Sequence, residues 1–261
     1  MKLKVGIFDS GIGGFTILGS LWETRKDVEV FYLADTKRVP YGNKDIEQIR
    51  SIAKEICNWF RDKNLDALLI ACNTTNACAL DIIKDNLEIP CFDLINSVAE
   101  IVTKQHIGVL ATQATIKSLL YKKIIESKKE NVKVFQQACS EFVPEIERIN
   151  LDLGKLNYLS DLYINPLLKE NVEEIILGCS HYPLIYNILR NIIDPKIRII
   201  DPSAALVNKF NNSFLIPKNH CYEISSHDNI KFFVTAKTEE FSIKVKYWLK
   251  INKEIRLVNL R

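Results

Sequence analysis

The chain has 261 residues, of which 47% are hydrophobic and 26% are charged, and these ordinary globular proportions exclude a mainly disordered protein. Its net charge of +3 comes without a dense run of Lys or Arg, so we expect no nucleic-acid partner. Apolar runs are far shorter than the roughly 20 residues of a membrane helix, and the N-terminus lacks a secretory apolar stretch, so we expect no membrane partner and a cytoplasmic location.

Short apolar segments alternate with amphipathic segments along the chain. The apolar segments are rich in Val, Ile, Leu and Phe with little alternation, which is typical of strands buried on both faces of a parallel sheet. We predict strands at 4–8, 29–33, 67–71, 90–94, 106–111, 133–137, 174–177, 198–200 and 231–234. We predict helices at 12–24, 45–64, 76–86, 115–128, 156–169, 183–193, 204–212 and 239–251. This order predicts a doubly wound α/β architecture.

Two stretches of the chain repeat at nearly equal distances. Residues 5–10 align with 107–112 at an offset of 102, and residues 69–74 align with 176–181 at an offset of 107. The second alignment places Cys72 on Cys179. We therefore predict two pseudo-symmetric doubly wound α/β domains with the active site in the cleft between them. The predicted division is 1–95 plus 212–261 for the first domain and 96–211 for the second, with a polar connector at 211–228.

The cysteine pattern argues against a disulfide scaffold and against a zinc site. There are seven cysteines, an odd number, no pair has C-x-x-C spacing, and the chain has only four histidines. We therefore expect reduced thiols and no bound metal.

Two candidate motifs lie in the first third of the chain. Asp-Ser-Gly-Ile-Gly-Gly at 9–14 follows the first strand and matches neither a P-loop nor a dinucleotide fingerprint. It is either a simple glycine turn or a site where Asp9 and Ser10 face a ligand and free amides at the helix start bind a carboxylate. Val-Pro-Tyr-Gly at 39–42 fits a type I turn with Pro40 at its second position.

Two further motifs each place a cysteine between a strand and a helix. They are Cys-Asn-Thr at 72–74 and Gly-Cys-Ser-His-Tyr-Pro at 178–183, in which Pro183 is expected at the first helical position. A helix N-terminus favours the thiolate and so is expected to lower the thiol pKa. Asn73 and Thr74 either cap the helix or bind a substrate carboxylate. His181 lies two residues beyond Cys179 and can tune its proton affinity.

Two facing thiols suit one particular reaction. One thiolate removes a proton from carbon while the opposite thiol delivers a proton to the other face, which inverts a stereocentre without a cofactor. The carbon must be activated by its neighbours, so an amino acid with its carboxylate held by amides and hydroxyls is the expected substrate.

The motifs at 9–14, 40–42, 71–74 and 178–183, in this order and spacing, resemble those of the glutamate racemase family over nearly the whole chain. The resemblance implies interconversion of L- and D-glutamate, supply of D-glutamate for bacterial peptidoglycan and thus for cell-wall biogenesis and cell shape, no cofactor, and a homodimer. It also implies two pseudo-symmetric domains with the site between them.

The resemblance assigns roles by position. It implies that Cys72 and Cys179 are the acid/base thiols, that Asp9 assists Cys72, and that His181 assists Cys179. It implies a further acidic residue at Glu147. The positions that match substrate contacts are Ser10, Pro40, Tyr41 and Gly42 for the side-chain carboxylate, Asn73, Thr74 and Ser180 for the α-carboxylate and amino group, and Thr112 and Thr115 for the cavity wall.

Three positions depart from the family pattern. Thr75 and Asn76 stand where the family has Ala-Ser, and Ser180 stands where it has Thr. Ser180 keeps the hydroxyl, so we expect these departures to bear on rate and affinity rather than on reaction type.

Three other functions compete with this interpretation. An aspartate racemase of the same superfamily shares the two thiols, although the motif at 40–42 favours glutamate as the longer substrate. A Cys–His hydrolase needs one cysteine, a base and an oxyanion hole, and leaves the second strand-end cysteine unexplained. A periplasmic-type binding protein has the two-domain plan but has no use for two thiols.

Overall fold

The computed structural model describes residues 2–214 and 229–260. The strands among these residues are β1 (Leu3–Asp9), β2 (Val28–Ala34), β3 (Ala67–Ile70), β4 (Cys91–Asp93), β5 (His106–Ala111), β6 (Lys133–Ala138), β7 (Glu174–Gly178), β8 (Arg198–Ile200), β9 (Ile230–Val234) and β10 (Ile255–Leu257). The α-helices are α1 (Phe15–Thr24), α2 (Ile46–Arg61), α3 (Asn73–Asn86), α4 (Leu94–Ile101), α5 (Gln113–Ser118), α6 (Leu120–Lys128), α7 (Phe142–Ile146), α8 (Leu153–Leu168), α9 (Tyr186–Ile192), α10 (Pro202–Ser213) and α11 (Thr238–Leu249).

The strands form two parallel sheets, one in each half of a two-domain α/β fold. The larger sheet has six strands in the order β10-β9-β2-β1-β3-β4, and the smaller has four in the order β6-β5-β7-β8. Every pairing within both sheets is parallel. Parallel neighbours need crossover connections, and the helices between the strands supply them.

The two sheets share a common plan. The order β2-β1-β3-β4 in one corresponds to β6-β5-β7-β8 in the other. Phe8 pairs with Ile70 in the first sheet, and Leu110 pairs with Leu177 in the second. The offset of 102 residues relates Phe8 to Leu110, and the offset of 107 residues relates Ile70 to Leu177. The sequence repeat is therefore also a structural repeat. The exact boundaries of the two domains, at 95/96 and 211/212, stay a prediction.

Burial on both faces explains the continuous apolar runs. In β1, Val5 and Ile7 belong to one core cluster while Phe8 belongs to another on the opposite face, and all three are fully buried. Burying each such side chain contributes about 1.5–3 kcal/mol. The first cluster also contains Leu110 and Leu177 from the smaller sheet, so side chains of both sheets meet in one core.

The predicted strands all occur, within two residues at each end, and three short elements were missed. β10 has three partly or fully exposed residues, so it carries no apolar run. α4 begins at Leu94, which the sequence assigned to the preceding strand, and it is capped by Asp93. α7 has five residues and contains Pro144, which argues against a helix by pattern although the first turn tolerates proline.

Several predicted helix boundaries and one predicted turn were wrong. The helix at 115–128 is divided into α5 and α6 by Leu119, whose φ of 57° ends the first helix. α1 begins at Phe15 rather than at residue 12. A 3-10 turn, Tyr182–Ile185, precedes α9, with Pro183 as its second residue. Pro40 is extended, with ψ 145°, so the type I turn is replaced by a 3-10 turn over Tyr41–Asn43.

The structure tests the predicted connector at 211–228 only at its first residues. Residues 211–213 are the last residues of α10, so the helix continues further than predicted, and residues 215–228 lie outside the described residues. Beyond the gap, β9 pairs with β2, so this last part of the chain joins the larger sheet.

Within residues 2–214 and 229–260, no helix combines the length and the apolar character needed to cross a bilayer.

Candidate active site

The candidate site lies where the carboxyl ends of four strands from both sheets meet. β1 ends at Asp9 and β3 leads into Cys72, while β5 leads into Thr112 and β7 leads into Cys179. Direct contacts join these ends across the gap between the sheets. Ser180 Oγ donates to Asp9 Oδ1 at 2.8 Å, and the hydroxyls of Thr74 and Thr112 lie 2.9 Å apart.

Cys72 is the N-terminal cap of α3 and is 3% exposed. Burial and, to a smaller extent, the nearby Asp9 charge raise the pKa of its thiol, the hydroxyl and backbone N–H of Thr75 lower it by less, and the net pKa is about 12. The expectation that the helix N-terminus lowers this pKa was therefore wrong, because desolvation outweighs the helix start. Cys72 rests as a thiol.

Cys179 stands at the head of a hydrogen-bonded series that runs through His181 to Glu147. Cys179 Sγ and His181 Nδ1 are 3.9 Å apart, and His181 Nε2 lies 2.7 Å from Glu147 Oε1. Burial alone would lower the pKa of His181, but its contacts with Cys179 and Glu147 raise it well above the ordinary value. The imidazole is therefore held as a cation between a carboxylate and a sulfur.

Glu147 follows α7 directly, and both of its carboxylate oxygens are occupied. Oε1 accepts from His181 Nε2 and, at 3.0 Å, from the backbone N–H of Ile12, while Oε2 accepts from Lys244 Nζ at 2.7 Å. Burial would raise the pKa of Glu147, but His181 and Lys244 together lower it to about 2. The acidic residue that the family resemblance implied here is thus a carboxylate with three donors.

The glycine loop at 9–14 is packed against this series. Asp9 Oδ2 accepts from the backbone N–H of Gly11 at 2.8 Å. A Cβ added to Gly11 would lie 1.9 Å from Glu147 Oε1, and one added to Gly13 would lie 2.3 Å from Ser180 Oγ, so only glycine fits at both positions. The N–H groups of residues 11 and 12, which precede α1, already bind Asp9 and Glu147.

A polar wall of hydroxyl and amide groups lies beside Cys72. Thr112 Oγ1 is 3.0 Å from Thr115 Oγ1, and Thr112 also packs so closely on Gly42 that a Cβ there would lie 2.6 Å away. Asn73 Oδ1 accepts from Tyr121 OH at 2.6 Å. Asn73 Nδ2 is buried with no hydrogen-bond partner in the described parts of the chain, so it is a donor without an acceptor.

Asp35 holds the motif at 39–42 through a hydrogen bond to Tyr41. Tyr41 OH donates to Asp35 Oδ2 at 2.5 Å, and Thr235 Oγ1 donates to Asp35 Oδ1 at 2.7 Å. Tyr41 is 2% exposed. The hydroxyl of Tyr41 is therefore occupied by Asp35, and this bond holds the turn whose Gly42 packs against Thr112.

A pocket of about 300 Å³ opens beside Glu147. Pro40 lies on one wall and Lys244 on another. Neither Cys72 nor Cys179 lines this pocket. Hydrogen bonds join Asp9 to Ser180, Thr74 to Thr112, Thr112 to Thr115 and Glu147 to His181, and Asn73 follows Cys72 directly in the chain. Ser10 follows β1, while Pro40, Tyr41 and Gly42 lie between β2 and α2.

Asn76, one of the three departures from the family pattern, is buried and forms hydrogen bonds to three backbone groups. Its Nδ2 donates to the carbonyls of Ile70 and Cys72 at 2.8 and 2.7 Å, and its Oδ1 accepts from Leu94 N at 2.9 Å. It therefore fixes the strand end that carries Cys72 and ties it to the start of α4.

Sequence reasoning missed three residues of the site: Asp35, Tyr121 and Lys244. A signal existed for Lys244, because it falls between Phe241 and Val245 on the buried face of the predicted last helix, where a lysine needs a partner. Tyr121 and Asp35 carried no such signal, since their partners are 48 and 6 residues away in unrelated elements. Across residues 2–214 and 229–260, no cluster of three potential metal ligands occurs.

Fold and site together define a class of protein: two α/β domains of one plan, with a cysteine after the third strand of each repeat and a cleft between them. The sequence model of the family described as Asp/Glu/Hydantoin racemase matches residues 22–210. The chain belongs to this family.

Individual relatives agree with the family match. The glutamate racemase of Prochlorococcus marinus (strain NATL1A) is 44% identical over 260 residues, which cover 99% of this chain and 98% of that protein. The crystal structure of a glutamate racemase from Bacillus anthracis superposes with a TM-score of 0.88 at 28% identity, covering 99% of this chain and 98% of the other. A glutamate racemase from Francisella tularensis, solved in complex with D-glutamate, gives 0.87 at 30% identity over the same shares.

Proposed function

We propose that this protein interconverts L- and D-glutamate by a two-thiol mechanism that needs no cofactor. The observation that carries the proposal is the placement of Cys72 and Cys179 after equivalent strands of two sheets whose ends meet. The substrate is taken from the relatives, which are named glutamate racemases at up to 44% identity over nearly the full chain.

In the proposed reaction, the thiolate of one cysteine takes the α-proton, so the C–H bond breaks and an S–H bond forms. The electron pair left on the α-carbon delocalises into the carboxylate. The thiol of the other cysteine then gives its proton to the opposite face, which forms the new C–H bond and leaves a thiolate there. The enzyme returns to its first state when the two sulfurs exchange protons with water.

The two sulfurs have unlike surroundings. The imidazolium of His181, held by Glu147, lies beside Cys179, and the proposal takes this sulfur as the first base. Cys72 is buried near Asp9, with a pKa of about 12, and rests as the thiol. One thiolate and one thiol are the pair that the reaction requires, and Asp9 is the group proposed to assist Cys72 when it acts as the base.

The substrate groups are assigned to donors that directly follow the two cysteines in the chain and to residues of the neighbouring loops. The unpaired Nδ2 of Asn73, with Thr74 and Ser180, is proposed to bind the α-carboxylate and the amino group. Ser10, Pro40, Tyr41 and Gly42 are proposed to form the end of the site that takes the side-chain carboxylate. Thr112 and Thr115 are proposed to line the wall between these two ends.

A wider role follows from this chemistry. We propose that the product, D-glutamate, is used for bacterial peptidoglycan, that the protein acts in the cytoplasm, and that it forms a homodimer.

The test is incubation of the protein with L-glutamate and, separately, with L-aspartate in deuterated water, followed by chiral analysis of both pools. The protein is first dialysed against a chelator and stripped of small molecules. We expect L-glutamate to become racemic with deuterium at the α-carbon, and L-aspartate to change far more slowly. Faster racemisation of aspartate would overturn the substrate, and a need for pyridoxal phosphate or a metal would overturn the mechanism.

A further inference from the structure

Lys244 is a buried lysine on α11 that bonds two carboxylates. Its Nζ lies 2.7 Å from Glu147 Oε2 and 2.7 Å from Glu240 Oε1, and the residue is 7% exposed. Glu240 lies one turn earlier on the same helix, whereas Glu147 lies after α7, in the part of the chain that carries the smaller sheet. The lysine thus joins the last helix of the chain to the candidate site.

The contacts of Lys244 continue without a break to one of the thiols. Glu147 uses Oε2 for Lys244 and Oε1 for His181, and the other ring nitrogen of His181 faces Cys179 Sγ. Charges alternate along this series, from ammonium to carboxylate to imidazolium to sulfur. A change at the lysine therefore alters the electrostatics at the sulfur, although the two are not in contact.

We propose that Lys244 is a positioning residue, which orients and charges the Glu147–His181 pair so that Cys179 is maintained as the reactive thiolate. The proposal rests on the two-thiol function stated above. Two carboxylates engage the Lys244 ammonium, so in this proposal Lys244 acts through Glu147.

Electrostatics gives the sign of the effect. Removing a buried cation disfavours every nearby anion, so the thiolate at Cys179 should form at higher pH without Lys244. Removing the anion of Glu240 should shift it in the opposite direction by less, because Glu240 is more exposed and also bonds Lys237 at 3.5 Å. Among the described residues, other charged or titratable groups that face this series are Asp9, Tyr32, Cys72, Tyr121, Cys139, Arg148 and Tyr182.

The experiment compares Lys244→Met with Lys246→Met, which makes the same substitution at an exposed position of the same helix. Two readouts are followed against pH: kcat/KM for racemisation, and alkylation of Cys179 by iodoacetamide, quantified by mass spectrometry of its peptide. L- and D-glutamate have equal free energies, so kcat/KM must be equal in both directions for every variant, and the pH profile is the informative quantity.

We expect Lys244→Met to move the acid limb of kcat/KM and the midpoint of Cys179 alkylation upward together, by about half to one pH unit. Lys246→Met should leave both unchanged. Lys244→Arg keeps the charge and should restore the midpoint, while Glu240→Gln should move it slightly downward. These two variants test the proposal even if Lys244→Met does not fold.

A purely structural lysine would lower the amplitude of activity without moving either midpoint, and that result would overturn the proposal. So would equal midpoints for the Lys244→Met and Lys246→Met proteins. The alkylation readout needs no turnover, so an unmodified protein that failed to racemise glutamate would overturn the proposed function while Lys244 remained testable.

Discussion

Cys72 and Cys179 occupy equivalent positions in the two repeats but have unlike neighbours. The first is buried with Asp9, and its pKa is raised to about 12. The second faces the imidazolium of His181. The repeat therefore supplies two sulfurs of matched position in unlike surroundings. At the scale of single residues, this asymmetry is the basis on which we propose that one sulfur starts the reaction as the base and the other as the acid.

The Glu147→Gln variant tests whether the negative charge of Glu147 stabilises the folded protein. The pKa of Glu147 is lowered from 4.5 to about 2, so its carboxylate stabilises the folded state above pH 4.5, and this contribution disappears as the pH falls toward 2. We expect the variant to be less stable by about 2–3 kcal/mol near neutral pH. The difference should shrink as urea denaturation is repeated at pH 5, 4 and 3.

The control for this prediction is Glu100→Gln. Glu100 forms an ion pair with Lys209 at 2.6 Å, but both side chains are largely exposed, so little stability should be lost at any pH. A deficit in Glu147→Gln that stayed constant from pH 7 to pH 3 would mean that its charge does not stabilise the fold.

At the scale of elements, the glycines of the loop at 9–14 allow it to pack closely against residues that follow the strands of the smaller sheet. Gly13→Ala would put a Cβ 2.3 Å from Ser180 Oγ and 2.6 Å from His181 Nδ1, so these groups must shift. We expect kcat/KM to fall about 100-fold, as displacement of reacting groups by an ångström can cause. The measurement is steady-state racemisation together with a thermal melt to show that the variant is folded.

Gly19→Ala is the matched substitution in the same region. No atom of the described residues outside the helix backbone lies within 4 Å of a Cβ at Gly19, which is inside α1. Alanine should therefore stabilise the helix by about 0.5–1 kcal/mol and leave kcat/KM unchanged. Equal activities for the Gly13→Ala and Gly19→Ala proteins would contradict the close fit of the loop.

The turn after Pro40 leads to a prediction about substrate length. Tyr41→Phe removes a donor from buried Asp35, so we expect a loss of about 1 kcal/mol in stability and, through movement of the turn, a several-fold higher KM for glutamate. Ser10→Ala should raise KM while leaving the melting temperature nearly unchanged. Unchanged KM in both variants would remove this end of the site from the proposal.

The elements could be predicted from sequence to the extent that burial shapes their composition. β5 was predicted to the residue, because an apolar run that is buried on both faces of the sheet ends where the sheet ends. α7 and β10 could not, since a five-residue helix with proline and a three-residue edge strand carry no periodic signal. The pKa of Cys72 was mispredicted, because depth of burial depends on residues far away in the chain.

At the scale of the whole molecule, the two sheets share an apolar core and are also joined by a few polar contacts around the site. Asp9 bonds Ser180, Thr74 bonds Thr112, and Glu147 bonds both Ile12 and Lys244. The repeat could be predicted from sequence, because it preserves the strand-end cysteines. The partners across the cleft could not, because their residues lie up to 171 positions apart and only the packing of the two sheets brings them together.

The central claim is that the two thiols work on opposite faces of one carbon. A probe that needs only one of them is enantiopure 3-chloroglutamate, because removal of its α-proton expels chloride from the β-carbon, and the resulting enamine hydrolyses to a 2-oxo acid and ammonia. No second acid takes part, so each thiol can be tested separately in Cys72→Ser and Cys179→Ser.

The decisive measurement is therefore glutamate racemisation and 3-chloroglutamate elimination by these two variants, with Cys57→Ser on α2 as the control. We expect both variants to lose racemisation in both directions, and each to retain elimination from one enantiomer only, the opposite one in each case. The Cys57→Ser protein should behave as the unmodified protein does. Full racemase activity in either Cys72→Ser or Cys179→Ser, or elimination from the same enantiomer by both, would contradict the two-thiol account.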